Sequence, residues 1–320
     1  MNELKASIIL PCYNRARLLP LSLASMKSQS LSLKDYEVLI IDDGSTDDTS
    51  SVVRAHLWEN ARYFRKPNGG LSSARNHAAT RARAKVLIFS DPDMILCPDF
   101  VRRHLAHHLP GSTDVVIGRK KEVVAHLPWW APRWPTALLL RKLALGNPDA
   151  FRKVASHFFK GKMSRILSEN DVASKFHLVE RRSQPCYMPE PPADFTHMTI
   201  PWVFMCGGNV SISAEMFQRT GGFDENFTGW GLEDIELAYR LHNNGARFIY
   251  EPEAVNYHQT HSFSLSGNDL AVDRNLRYFI DKHPRREVEL HADFIKGQIS
   301  LEEYDGLVRQ YYGRAAPGAR

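Results

Sequence analysis

Three continuous apolar runs punctuate the first hundred residues: ASIILPCYN (6–14), YEVLIIDDGS (36–45) and KVLIFSDPD (85–93). Each ends in polar or acidic residues, and a shorter run, RYFRKP (62–67), lies among them. Between the runs, stretches 16–28, 46–57 and 72–84 have helical periodicity. The second is expected to be capped by Ser45 or Thr46, and the third follows the Asn68-Gly69-Gly70 turn. A run with no polar alternation is a strand buried on both faces. Such strands, alternating with amphipathic helices, build a parallel sheet. Ligands of such sheets gather beyond the carboxyl ends of the strands. Tyr13 and Asn14, Asp42 and Asp43, and Asp91 to Asp93 all fall at those ends, so they are expected to line one crevice. No Gly-x-Gly-x-x-Gly follows the first run and no Gly-rich loop precedes a Lys-Ser/Thr pair. A dinucleotide site of that type and a P-loop are therefore excluded.

With 320 residues, 43% of them hydrophobic, the chain can bury one large core or a core with a smaller satellite. Residues 126–167 are rich in Trp, Leu, Lys and Arg, hold four prolines, and read as short helices before a Pro-rich loop. Compact-domain composition returns near residue 200. A charged helical tail follows over 273–310, and the closing GRAAPGAR reads as disordered. The expected organisation is a first half (1–124), a helical and Pro-rich insertion (125–200), a second half (201–265) and a helical extension (266–320). The net charge of +5 permits an anionic partner such as a nucleotide, a phospholipid surface or a nucleic acid, without demanding one. No zinc-finger spacing or RNA-recognition signature is present, so a nucleic-acid partner is not expected. Cys12, Cys97, Cys186 and Cys206 lie far apart, which argues against a structural zinc or a disulfide framework and for buried thiols in a reducing cytoplasm. There is no secretory pattern and no run of the ~18–20 apolar residues that a spanning helix needs. A cytoplasmic protein with at most peripheral membrane contact is the expectation.

Several clusters carry candidate chemistry. Asp91-Pro92-Asp93 presents two carboxylates at a strand end, suited to a hard divalent cation that also takes phosphate oxygens; on its own, a plain Asp-Pro-Asp turn is the favoured account. In FTGWGLEDIELAYRL, Glu233 and Asp234 open an amphipathic helix behind a Gly-Trp-Gly turn. Acids stabilise a helix N-terminus by roughly 0.3–1 kcal/mol, so capping alone explains the pair. Gly207-Gly208-Asn209 could let backbone approach a ligand closely or mark a bulge in a strand. His104, His107 and His108 are expected on a solvated helix face. Trp129, Trp130 and Trp134, with Arg133, Arg141 and Lys142, suit either a membrane interface or a lipid-linked acceptor, or the packing of a small subdomain.

Taken in order, Pro11-x-Tyr13-Asn14-Arg15, Asp42-Asp43-Gly44-Ser45, Asn68-x-Gly70 with Ala74-Arg75-Asn76, and Asp91-x-Asp93 resemble the nucleotide-sugar half of a family 2 glycosyltransferase. GGNVSISAEMFQRTGGFDENFTGWGLEDIELAYRL resembles the catalytic segment of chondroitin-polymerase and beta-1,4-galactosyltransferase enzymes. The likeness covers roughly residues 5–124 and 203–261. It implies the GT-A fold of nucleotide-diphospho-sugar transferases: an α/β, Rossmann-like, mixed but mostly parallel sheet flanked by helices, with a helical insertion and tail.

By the same resemblance, Pro11 and Tyr13 cradle the nucleobase, Asp43 (with Asp42 as substitute) accepts a hydrogen bond from it, and Arg15 and Arg75 lie near the diphosphate or base. Gly70 and Asp91 belong to the donor site, Asp91 towards the ribose, and Gly208 sits beside the donor sugar. Asp93 and His258 hold the cation, with His261 as rival to the histidine. Mn²⁺ suits that mixed donor set better than Mg²⁺. Asp234 is the expected base, Glu233 binds sugar or acceptor hydroxyls, and Trp230 stacks on a sugar face. Many members carry a further acid after Asp-x-Asp; Met94 stands there instead, as an apolar residue does in the galactosyltransferase-like group. The implied reaction is metal-dependent, inverting transfer from a nucleoside-diphosphate sugar, UDP-linked by preference, to an unidentified acceptor. Rivals are a sugar-nucleotide nucleotidyltransferase, which would need a Gly-rich basic loop where PCYNRAR stands, and a non-catalytic sugar- or nucleotide-binding protein.

Overall fold

Strand β1 (Ala6–Cys12) is buried along its whole length, as are β2 (Tyr36–Asp42) and β4 (Val86–Ser90). β1 pairs in parallel with β2 and with β4, and β2 pairs in parallel with β3 (Ala61–Arg65). Side chains alternate between two cores. Ile8, Leu10, Val38, Ile40 and Ile88 enter one, while Ile9, Leu39, Ile41, Leu87 and Phe89 enter the other. The missing polar alternation in these runs thus follows from apolar cover on both faces. This computed structural model describes residues 3–123, 125–128, 163–165, 167–181, 183–185, 190–260 and 265–314. Cys186, His261 and the Trp129, Trp130, Arg133, Trp134, Arg141 and Lys142 cluster lie outside the described residues.

The remaining strands are β5 (Met94–Leu96), β6 (Asp114–Val123), β9 (Ser183–Pro185), β10 (Asn209–Ser213) and β11 (Arg247–Gln259); β7 (His126–Pro128) and β8 (Met163–Arg165) form a separate pair. The main sheet has nine strands in the order β3-β2-β1-β4-β10-β6-β11-β5, with β9 on β6. β10 runs antiparallel between β4 and β6, and β11 lies parallel to β6. The sheet is therefore mixed and mostly parallel, as expected.

Helices α1 (Leu19–Lys27), α2 (Thr49–Ala55) and α3 (Leu71–Ala79) are shorter than their periodicity predicts. The Asn14 side chain accepts from the Thr46 amide at 2.8 Å, while the Arg15 amide donates to Thr49 at 2.9 Å. These bonds tie the two loops into an elbow and delay both helices. Neither Ser45 nor Thr46 caps α2; Asp48 occupies that position without a side-chain cap. Beyond α3, the amides of Arg83 and Ala84 donate to Glu37 and Ser7, at 2.7 and 3.2 Å.

Helix α4 (Phe100–Leu105) corrects the reading of the histidines as a solvated face. His104 is fully buried, bonded to Ser211 at 2.9 Å and Asn209 at 3.0 Å. Burial lowers its pKa to about 3. His107 bonds to Glu251 at 2.7 Å and His108 to Ser211 at 2.7 Å. The short helices α5 (Glu169–Ser174), α6 (His177–Arg181) and α7 (Ala214–Arg219) follow, the last capped by Ser213. The next is α8 (Glu233–Asn243). The tail consists of three helices, α9 (Leu265–Lys282), α10 (Arg286–Ile295) and α11 (Leu301–Arg314), interrupted near Pro284 and Gly297. Trp202 packs edge-on against Tyr239 of α8, Phe279 of α9 and Tyr304 of α11, which fixes α8 between the sheet and the tail. No helix among the described residues is long and apolar enough to cross a membrane.

Candidate active site

The loops after β1, β2 and β4 leave the same edge of the sheet, because β1 is parallel to both neighbours and Cys12 pairs with Asp42. Pro11 is buried in β1, while the Tyr13 ring is 46% exposed just past its end. Arg15 is half-buried, and its guanidinium reaches the Asn14 carbonyl at 3.5 Å. Asp42 accepts from the Ser45 amide and the Tyr63 hydroxyl, both at 2.7 Å. Asp43 accepts from Lys66 at 2.6 Å and from the amides of Gly69 and Gly70 at 3.0 and 2.8 Å. Gly70 makes that contact at φ 89°, a backbone region that disfavours a side chain. Both acids thus shape the loops, and Asp43 fixes the turn that starts α3.

At the next strand end, Arg75 of α3 is buried to 2% exposure between two acids. It donates to Asp91 at 3.0 Å and to Glu233, the first residue of α8, at 3.1 Å. Its guanidinium also lies 5.0 Å from the centre of the Phe223 ring. A buried cation needs such partners, since desolvating an unpaired charge costs several kcal/mol. Burial and the neighbouring Asp234 push the Glu233 pKa up to about 7 despite Arg75. Asp234 is half-buried, and its carboxylate accepts from the Gly207 and Ile235 amides, both at 2.9 Å.

The backward run of β10 explains the two glycines. Asn209 pairs with Ser90, so Gly208 lies against Asp91. A Cβ on Gly208 would come within 2.2 Å of Asp91 Oδ2, and one on Gly207 within 2.8 Å of the Arg75 guanidinium. They form the turn entering the strand, not a bulge within it. Asn256 holds the Gly208 carbonyl at 2.6 Å. Ahead of α8, Gly229, Gly231 and Leu232 adopt φ of 81°, 98° and 72°. The turn leaves Trp230 46% exposed. The left-handed Leu232 backbone costs roughly 1–2 kcal/mol.

Asp93, Glu122 and His258 make a third cluster. His258 Nδ1 lies 2.9 Å from Glu122 and Nε2 lies 3.7 Å from Asp93. Burial opposes a charge on the imidazole, but the two carboxylates outweigh it and raise the pKa to about 10. Among the described residues no three His, Cys, Asp or Glu side chains form a ready metal cage. Asp93 and His258 nevertheless suit one cation. Two donors each about 2.1 Å from a metal stand at most about 4.2 Å apart, and an oxygen with an imidazole nitrogen suits Mn²⁺.

Lys120 and Glu122 were not anticipated, and Cys206 was expected only as a buried thiol. Lys120 donates to Cys206 Sγ at 2.9 Å. Burial raises the pKa of that thiol despite the ammonium. Lys120 and Glu122 sit in the charged end of β6, GRKKEV, whose run of four consecutive charges offers a signal. Their partners across the sheet cannot be read from spacing.

Residues 7–175 match the sequence profile of glycosyl transferase family 2, and residues 192–262 match that of the N-terminal domain of galactosyltransferase. The chain is 34% identical over 292 residues to validoxylamine A glucosyltransferase of Streptomyces hygroscopicus subsp. jinggangensis, covering 89% of this chain and 62% of that protein. It is 28% identical over 276 residues to chondroitin synthase of Escherichia coli, covering 84% and 37%. The chain therefore spans less than two thirds of the length of these relatives. Among solved structures, S. aureus TarS 1-349 in complex with UDP-GlcNAc superposes with a TM-score of 0.54 at 17% identity, covering 86% of this chain and 65% of that one. GalNAc-T7 with UDP, GalNAc and Mn2+ gives 0.56 at 16%, covering 88% and 48%. Both share the fold.

Proposed function

Because the chain belongs to glycosyl transferase family 2 and has the GT-A fold, we propose that it moves a sugar from a nucleoside-diphosphate donor, UDP-linked by preference, to an acceptor nucleophile with inversion. The observation that carries this reading is Arg75. It pairs with Asp91 of the donor side and with Glu233 of the acceptor side, so residues from both halves of the chain meet in one ion-paired cluster.

Tyr13 offers a ring face to the nucleobase, with Pro11 beneath it and Asp43, or Asp42, accepting a base hydrogen bond. Arg15 and the Gly70 turn flank the diphosphate, and Arg75 orients Asp91 towards the ribose. Gly208 leaves room for the donor sugar, and Trp230 forms a platform for a sugar ring. Asp234 takes the proton from the acceptor hydroxyl as it attacks the anomeric carbon. Glu233 is less suited to that step, because it is buried and bound to Arg75; it holds donor or acceptor hydroxyls. Attack opposite the departing diphosphate inverts the anomeric centre. Asp93 and His258 would hold Mn²⁺, or Mg²⁺ in second place, which offsets the charge on the leaving diphosphate.

The experiment is a screen of UDP- and GDP-sugars, reading nucleotide release with Mn²⁺ and with EDTA. Release of UDP that EDTA abolishes is expected. No release from any donor would defeat the reading, and full release in EDTA would defeat its metal dependence. Consumption of a nucleoside triphosphate with a sugar phosphate would favour a nucleotidyltransferase instead.

A further inference from the structure

Glu122 stands directly across from His258 where β6 and β11 run in parallel register, and it engages His258 Nδ1 at 2.9 Å. Asp93 faces the other ring nitrogen at 3.7 Å. The imidazole is therefore interposed between the two carboxylates, with Glu122 on the side away from Asp93. Backbone contacts set that spacing. The Gln259 amide donates to the Asp93 carbonyl at 2.9 Å, Met94 pairs with His258, and the Thr260 amide donates to the Val123 carbonyl at 3.0 Å. Asp93, His258 and Glu122 are thus stitched together through three strand segments.

A histidine that binds a cation through Nε2 must keep its ring plane in line. A carboxylate accepting from Nδ1–H fixes the tautomer and the ring torsion and makes Nε2 a better donor. None of the motifs that carry the family resemblance includes Glu122. The geometry points to Glu122 as a positioning residue. It holds His258 so that Nε2 and Asp93 offer one nitrogen and one oxygen to a divalent cation, and it does not touch that cation itself. This rests on the metal-dependent reading above and assigns the orientation of one of its two ligands.

The test is calorimetric titration of Mn²⁺ into the full chain with UDP present. It compares the unaltered protein with E122A, E122Q, H258A and the E122A/H258A double variant. E122A is expected to weaken Mn²⁺ binding about 10–100-fold, the usual effect of losing an outer carboxylate. E122Q should lose less, because its amide oxygen still accepts from Nδ1–H. It also keeps the side-chain volume, which guards against failure of E122A to fold. A residue acting only through His258 adds nothing once His258 is gone, so the double variant should match H258A. Unchanged affinity in both Glu122 variants would overturn the inference while leaving the metal site standing. An equal further loss in the H258A background would overturn it too, by assigning Glu122 a direct or long-range role. If the unaltered chain takes up no Mn²⁺ with UDP, the metal-dependent reading falls, and the inference with it.

Discussion

Two pairs of adjacent acids, Asp42-Asp43 and Glu233-Asp234, stand at element boundaries under opposite physics. Asp42 and Asp43 accept from the backbone amides of Ser45, Gly69 and Gly70, from the Tyr63 hydroxyl and from Lys66. Those bonds hold the loops in which Asp43 is proposed to meet the nucleobase. Glu233 instead meets a fully buried guanidinium that it shares with Asp91, and burial pushes its pKa to about 7. Asp234 beside it accepts, among the described residues, from two backbone amides and keeps partial access to solvent. An acidic doublet at an element boundary is therefore ambiguous in sequence. What separates the two pairs is how far along the chain their charged partners lie: 23 residues for Lys66 and Asp43, 158 for Arg75 and Glu233.

The largest expected effect tests the chemical side of that contrast. D234N should keep UDP binding and lose transfer by ~10²–10⁴-fold, the usual contribution of a general base. Parallel UDP titration and product assays check it, and a retained rate would transfer the base to Glu233 or elsewhere. Next is R75M, which leaves Asp91 and Glu233 without their buried partner. It should destabilise the fold by about 3–5 kcal/mol in chemical denaturation; a change within error would mean that the two acids do not depend on Arg75.

A pH series gives a smaller effect. The folded state holds the Glu233 proton more tightly than the unfolded chain, whose ordinary value is 4.5. This contribution to stability is fully present below pH 4.5 and is lost as pH rises through about 7. E233Q should flatten that decline, which denaturation midpoints at several pH values would reveal. Smallest is Y63F on the loop-building side. It should cost about 0.5–1.5 kcal/mol for one hydrogen bond to Asp42 and leave transfer nearly unchanged. A large loss of activity with intact stability would erase the distinction between the pairs.

The strands were the most legible part of the chain, because runs such as VLIFS and YEVLIID admit no solvent-facing side. The turn glycines and the strand-end acids were legible for the same reason, since their positions follow from where the apolar runs stop. Helix starts were misread wherever a side chain from another loop captured the amides, as Asn14 does with Thr46. His104 looked like a surface residue because its partners Asn209 and Ser211 lie more than a hundred positions away. Glu122 was missed likewise, since its meeting with His258 depends on a register 136 residues apart in the chain.

Strand β10 enters the sheet against the direction of both neighbours, and this joins distant parts of the chain at one place. The segment that carries Gly207 and Gly208 becomes the floor between Asp91 and Asp234 only when residues 209–213 slide in beside β4. The site is therefore incomplete without a pairing between Ser90 and Asn209, segments more than a hundred residues apart in the chain.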